Sequence, residues 1–333
     1  MDAVVLVGGF GTRLGPLTSD TPKQMLPVGH GTMLEAVVAR LARHDVDRAV
    51  LSLGYRPEVF ETAYPDSELC GVELVYAVDP EPLDTAGAIR FAAAAVGIDE
   101  TFLALNGDVI TTLDIHDQVA SHRSTGAMGT IHLVPVDDPS RYGVVPTDDT
   151  GRVLGFVEKP PRETAPSRWI NAGTYVLEPE ALGYIPDGRA VSIERETFPA
   201  MVEDGVLFGY QADVYWIDAG TPESYRRVNL DLLDGQWADP IDAIAHDARV
   251  AASAHVHGSI IASGAEVSDD ASVTESLVLP GARVGRHAIV EGSIIGARAV
   301  IGAGATIVGG SLIGPGAVVG DGDVHNGVTV PER

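Results

Sequence analysis

The sequence predicts an α/β domain followed by a short parallel β-helix, and three observations carry that prediction. Residues 1–228 alternate short, branched apolar runs with segments of helical length. A glycine-rich turn, Gly8-Gly9-Phe10-Gly11, follows the first of those runs. From residue 250 onward, aliphatic residues recur at steps of six, five and six, a period that a 3.6-residue helix does not produce.

Taken in order, Ala3–Val7, Ala49–Leu53, Val72–Val78, Phe102–Leu105 and Met128–Val134 read as strands, and Met33–Arg43 and Thr85–Val96 as helices. Such alternation builds βαβ units and therefore a mostly parallel sheet. YGVV (142–145), FVEKP (156–160) and INAGTY (170–175) read as further strands, and Pro222–Leu233 as a helix that closes the domain.

In the C-terminal region Val250, Val267, Val284 and Ile301 stand seventeen residues apart, and Val256, Val273 and Val290 share the period with Ile261, Val278 and Ile295. Ile307, Ile313 and Val319 then follow at plain steps of six. Gly, Ala and Ser fill the positions between. Each hexapeptide is a flat strand and a corner, and three make a triangular coil with its aliphatic residues stacked inward. The pattern resembles left-handed β-helices, with about four coils between residues 250 and 319. So few coils need a neighbour to lean on, which leads to the expectation of a homo-oligomer. The expected domains are 1–235 and 236–333.

Composition narrows the partners. A formal charge of −25 over 333 residues sets the chain against nucleic acid, although a few cations in one cleft can still bind a nucleotide. Cys70 is the single cysteine and forms no internal disulfide, which suits a reducing compartment. The N-terminus lacks a basic, apolar leader, and no stretch has the length of a membrane span, so a cytoplasmic protein without membrane contact is expected.

The turn after the first strand carries the chemistry. Gly8, Gly9 and Gly11 let main-chain N–H groups face an anion. Arg13 can fork onto phosphate oxygens, and Lys23, ten residues on and fixed by Pro22, adds a compact charge. A dinucleotide fingerprint is excluded because Leu14 occupies the position of its last glycine, and a Walker loop because no Gly-Lys pair occurs.

This turn, followed by LNGDV (105–109), YGVV, FVEKP, INAGTY, SIERETFP (192–199) and WIDAGTPESY (216–225), resembles the sugar-1-phosphate nucleotidylyltransferases, and most of all their mannose-1-phosphate guanylyltransferase branch. The resemblance implies a Rossmann-like nucleotidyltransferase domain. It implies in-line attack of a sugar-1-phosphate on the α-phosphate of an NTP, here GTP, with release of pyrophosphate. It assigns Mg²⁺ to Asp108 and Asp218, the phosphates to Arg13, Lys23 and Lys159, and the nucleotide to Gly8, Gly9, Gly11, Thr12, Asp79, Asp84, Thr85 and Gly107. The sugar falls to Gly143, Glu158 and Asn171. A phosphate monoester is already anionic, so no catalytic histidine is sought.

Two departures bear on specificity. The family reads Leu-Gly-Thr-Ala-Gly where this chain has Leu83-Asp84-Thr85-Ala86-Gly87, so Asp84 either accepts from the donors of a guanine edge or caps the following helix. Lys23 is followed by Gln24-Met25-Leu26 instead of Pro-Leu-Val. Thymidylyl, adenylyl or cytidylyl transfer to glucose-1-phosphate, and guanylyl transfer to a cyclitol phosphate, stay open. So do a ligand-sensing subunit without activity and a hexapeptide acyltransferase that uses one of the β-helix histidines.

Overall fold

Five consecutive strand-forming runs of the N-terminal half enter one sheet, as the apolar pattern requires. The structure is a computed structural model that describes residues 1–79 and 81–331; Pro80, in the segment expected to read the base, and Glu332 and Arg333, at the end of the expected second domain, lie outside the described residues. The chain divides into one unit of Met1–Gly9 with Val37–Trp216 and another of Phe10–Ala36 with Ile217–Arg333.

The first unit is a ten-stranded sheet. In chain order its strands are β1 (Asp2–Leu6), β2 (Arg48–Leu53), β3 (Glu68–Leu69), β4 (Val72–Val78), β5 (Phe102–Asn106), β6 (Gly129–Pro135), β7 (Gly143–Val144), β8 (Val157–Glu158), β9 (Trp169–Leu177) and β10 (Leu207–Gln211). The path β4-β2-β1-β5 is parallel throughout. β9 turns the sheet antiparallel by pairing β5 on one edge and β6 on the other, with a register shift between Asn171 and Tyr175. Val4, Val5, Val50 and Leu51 are fully buried, as expected of strands covered on both faces. Helices α1 (Met33–Ala42), α2 (Asp84–Val96) and α3 (Ile115–Thr125) accompany the sheet, and α2 ends at Gly97 in the left-handed conformation.

The second unit holds the β-helix. Its strands form three five-stranded parallel sheets, with Val267, Val273, Val278, Val284, Val290, Ile295, Ile301, Ile307 and Ile313 buried along the axis. The solenoid runs one coil further than the aliphatic pattern indicates, because Val324–Asn326 and Thr329–Val330 add a fifth strand to two of the sheets. There His325 stands in register with Ile307, which breaks the apolar ladder and hid that coil.

Serines at one corner give the coils a polar spine. Ser259, Ser276 and Ser293 are fully buried, and each hydroxyl donates to a carbonyl two residues back, at 2.7–2.9 Å. Ser259 and Ser276 also accept the N–H of the serine one coil on, both at 3.0 Å, so these buried hydroxyls and N–H groups satisfy one another along the stack.

Helix α4 (Pro222–Leu233) starts with a reciprocal Thr221–Ser224 capping box. Its inner face holds the short hairpin around Gly29. Tyr225 donates its hydroxyl to Pro27 O at 2.6 Å and Asn229 Oδ1 accepts Gly29 N–H at 2.8 Å. On its outer side Arg226 donates to Glu275 O of the β-helix at 2.7 Å. In the same unit Pro16 lies over Gly314, and Gly15 faces Leu312 and Thr329. The turn that carries Arg13 therefore rests on the last coils.

Candidate active site

Within the second unit two cations converge on one carboxylate. Arg13 Nη2 stands 3.4 Å from Asp218 Oδ2, and Lys23 Nζ 3.5 Å from Asp218 Oδ1. The lysine side chain is 5 % exposed and the arginine 63 %, so one charge is fixed inside and the other reaches outward. Gly11 makes this arrangement possible: its φ of 62° is left-handed, and a Cβ there would lie 2.9 Å from the Thr18 methyl. Thr18 locks the turn by donating its hydroxyl to Gly11 O and Gly15 O, while Leu14 and Leu17 anchor the segment in the core. Gly220 clears space for the pair, since a Cβ there would fall 2.5 Å from the Arg13 guanidinium and 2.7 Å from Asp218.

The first unit holds the other predicted residues. Gly107, at the end of β5, donates its N–H to Leu6 O at 2.9 Å, which sets Asp108 in the turn that follows. Asp79 follows β4 and receives the Ser52 hydroxyl at 3.4 Å. Burial pushes its carboxyl up to about 6, against the opposing Ser52 hydrogen bond.

Asp84 adopts φ 56°, the left-handed conformation suited to the glycine of the family pattern, and its Oδ1 accepts Thr85 N–H at 2.7 Å. That bond reaches only the next residue, and α2 begins at Asp84 itself, with Leu83 at the N-cap and no side-chain capping bond. Thr85 Oγ1 accepts Ile193 N–H at 2.8 Å and donates to Glu194 at 3.3 Å. Glu194 also receives the Ser192 hydroxyl at 3.1 Å, and burial raises its proton affinity. It went unassigned in the sequence, although its place in SIERETFP, after a helix-capping serine, was the available signal.

The residues expected to meet the sugar sit around β7, β8 and β9. Gly143 pairs with Glu158 across β7 and β8. Lys159 takes a left-handed φ of 47°, donates its N–H to Tyr142 O at 3.0 Å and sets Nζ 2.7 Å from Glu158 Oε1. Asn171 is oriented from both ends: its amide donates to the Tyr175 hydroxyl and its Oδ1 accepts Gly173 N–H, both at 3.0 Å. Tyr175 is buried, and burial, then the charges of Glu194 and Asp108, push its hydroxyl well above the usual tyrosine range despite the Asn171 hydrogen bond.

Asp108 belongs to the first unit and Asp218 to the second. Both offer hard carboxylate oxygens, and Asp218 meets its two cations only at the long end of ion-pair distance. The donor chemistry fits a divalent, oxygen-seeking metal.

In the first unit a mostly parallel sheet has glycines after its first strand and a carboxylate, Asp108, in the turn after β5; in the second unit two cations meet a carboxylate; these features are those of a phosphate-handling α/β enzyme. The nucleotidyl transferase family profile matches residues 2–235, and the GMPPB C-terminal domain profile matches residues 240–332. The chain belongs to the nucleotidyl transferase family. It is 40% identical over 270 residues to a mannose-1-phosphate guanylyltransferase of Mycobacterium tuberculosis, which covers 78% of this chain and 74% of that protein. It is 41% identical over 230 residues to a mannose-1-phosphate guanyltransferase of Schizosaccharomyces pombe, covering 68% of this chain and 62% of that one, so the chain spans somewhat less than two thirds of that relative. Among solved structures, HddC from Yersinia pseudotuberculosis complexed with GMP-PN is similar with a TM-score of 0.60 and 29% identity, covering 68% of this chain and 97% of that one. Among the described residues no helix is long and apolar enough to cross a membrane.

Proposed function

We propose that the protein transfers GMP from GTP to mannose-1-phosphate, giving GDP-mannose and pyrophosphate. The convergence of Arg13 and Lys23 on Asp218 carries the reading, and the curated names of its relatives favour this substrate pair. Two anions must meet for the reaction, so fixed positive charge is the first requirement. Lys23, nearly excluded from water, neutralises charge at the α-phosphate, while exposed Arg13 forks onto the departing pyrophosphate. Gly8, Gly9, Gly11 and Thr12 present the phosphate turn.

Lys159 exchanges Glu158 for the sugar phosphate, which frees Glu158 for a sugar hydroxyl beside Asn171 and the Gly143 backbone. Asp79, with Thr85 and Gly107 beside the nucleotide, accepts from the guanine edge. Asp108 and Asp218 are the residues for Mg²⁺, which would supply charge stabilisation at the α-phosphate. The expected functional division at residues 235 and 236 follows the catalytic residues, none of which falls in the β-helix.

The β-helix presents Val300 and Val318, in register on one sheet, and Ile289 and Val324, on another, to solvent, with Val318 72 % exposed. The Val300–Val318 strip supports a homo-oligomer joined through its coils. One exposed cysteine, Cys70, suits the reducing cytoplasm. Pyrophosphate release over a grid of nucleotides and sugar-1-phosphates tests the substrate pair.

A further inference from the structure

Away from the residues assigned to catalysis, three side chains of the first unit turn their ligand atoms toward one point. His44 follows helix α1, and Asp114 and His116 open helix α3. The two Nδ1 atoms are 3.3 Å apart, and Asp114 Oδ1 lies 3.7 Å from His44 Nδ1 and 3.9 Å from His116 Nδ1. Two ligands of a tetrahedral zinc, each at about 2.0–2.1 Å, stand about 3.3–3.4 Å from each other, so the imidazole pair already has that spacing.

We propose that His44, Asp114 and His116 form a binding site for a zinc-class transition-metal ion, with the fourth position open to water. Nitrogen donors select such a metal over Mg²⁺, which prefers all-oxygen sets. His116 Nε2 faces Asp45 Oδ2 at 3.2 Å, a carboxylate on the outer nitrogen of a ligand imidazole, which orients the ring. Burial lowers the proton affinity of His44, the Asp114 charge opposes that, and His116, Arg40 and Arg43 add to the lowering. His44 is 15 % exposed while His116 and Asp114 are about half exposed, so an ion can enter from solvent. The competing arrangement is a plain Nδ1–H···Nδ1 hydrogen bond between the rings. Bound metal would staple the end of α1 to the start of α3.

The test uses the full chain, stripped with chelator and titrated with Co²⁺ and Zn²⁺. The site predicts one Co²⁺ per chain with visible d–d absorption, displacement by Zn²⁺ but not by Mg²⁺, and a rise in melting temperature with Zn²⁺. His116→Ala and Asp114→Asn, the latter keeping the helix cap, should each weaken Co²⁺ binding by about tenfold or more, with nucleotidyl transfer unchanged. Equal Co²⁺ affinity and spectra in the wild type and both variants, or absence of any d–d band in the wild type, would overturn the assignment.

Discussion

Lys23 Nζ stands 3.5 Å from Asp218 Oδ1 with only 5 % of the lysine side chain exposed. A charge held this far from water acts strongly on an incoming phosphate, because solvent does not screen it. Lys23→Met should lower kcat/KM by about 10²–10³-fold, the scale of losing one preorganised electrostatic group. Circular dichroism should be unchanged. A loss under fivefold in a folded variant would remove Lys23 from the reaction.

The raised carboxyl of Asp79 gives a pH prediction. If Asp79 accepts from the base as a carboxylate, kcat/KM for GTP should rise as pH increases through about 6, the value to which burial pushes the group, and Asp79→Asn should flatten that limb. Stability moves the other way. The folded group keeps its proton up to about 6 while the unfolded one releases it near 3.8, so the wild type loses stability relative to Asp79→Asn as pH rises across that window. Parallel pH profiles for the two proteins would contradict the assignment.

Asp84 gives a contrasting expectation, because Thr85 N–H already occupies its Oδ1. Asp84→Ala removes the bond to Thr85 N–H and places alanine at a left-handed φ, costing about 1–2 kcal/mol of stability. Asp84→Gly should recover most of that loss, since glycine suits the backbone there. Both variants should change kcat/KM equally for all four nucleotides. A loss confined to GTP would return Asp84 to the base.

How far the sequence reveals these features depends on whether a pattern is local. The β-helix announces itself because each coil repeats the same inward aliphatic triplet, and it disappears from view only where His325 replaces the aliphatic residue. Helix α3 is hidden for a related reason: its buried face includes Gln118 and His122, so the apolar period that marks α2 is missing. The short strand β10 follows the Asp204-Gly205 turn but pairs in the sheet with distant β6, a partner that no local pattern indicates. Arg13 and Lys23 are legible from one motif. Their convergence on Asp218, about 200 residues away, is a product of tertiary packing by α4 on the hairpin around Gly29. Glu194 becomes visible only when Thr85 is found against it.

The exposed strip of Val300 and Val318 predicts assembly through the solenoid. Val318→Glu places a charge at the end of that strip, on the last strand of its sheet, without touching the buried stack, so light scattering should report a smaller particle than the wild type at equal concentration, with the fold retained. Identical masses would exclude this face as the contact.

The central claim is the substrate pair, and pyrophosphate release measured for GTP, ATP, dTTP and CTP against mannose-1-phosphate and glucose-1-phosphate tests it most directly. GTP with mannose-1-phosphate should give the highest kcat/KM, at least tenfold above any other nucleotide, about 1.4 kcal/mol of discrimination at the base. Faster release with dTTP or ATP, or no release from any pair, would contradict it.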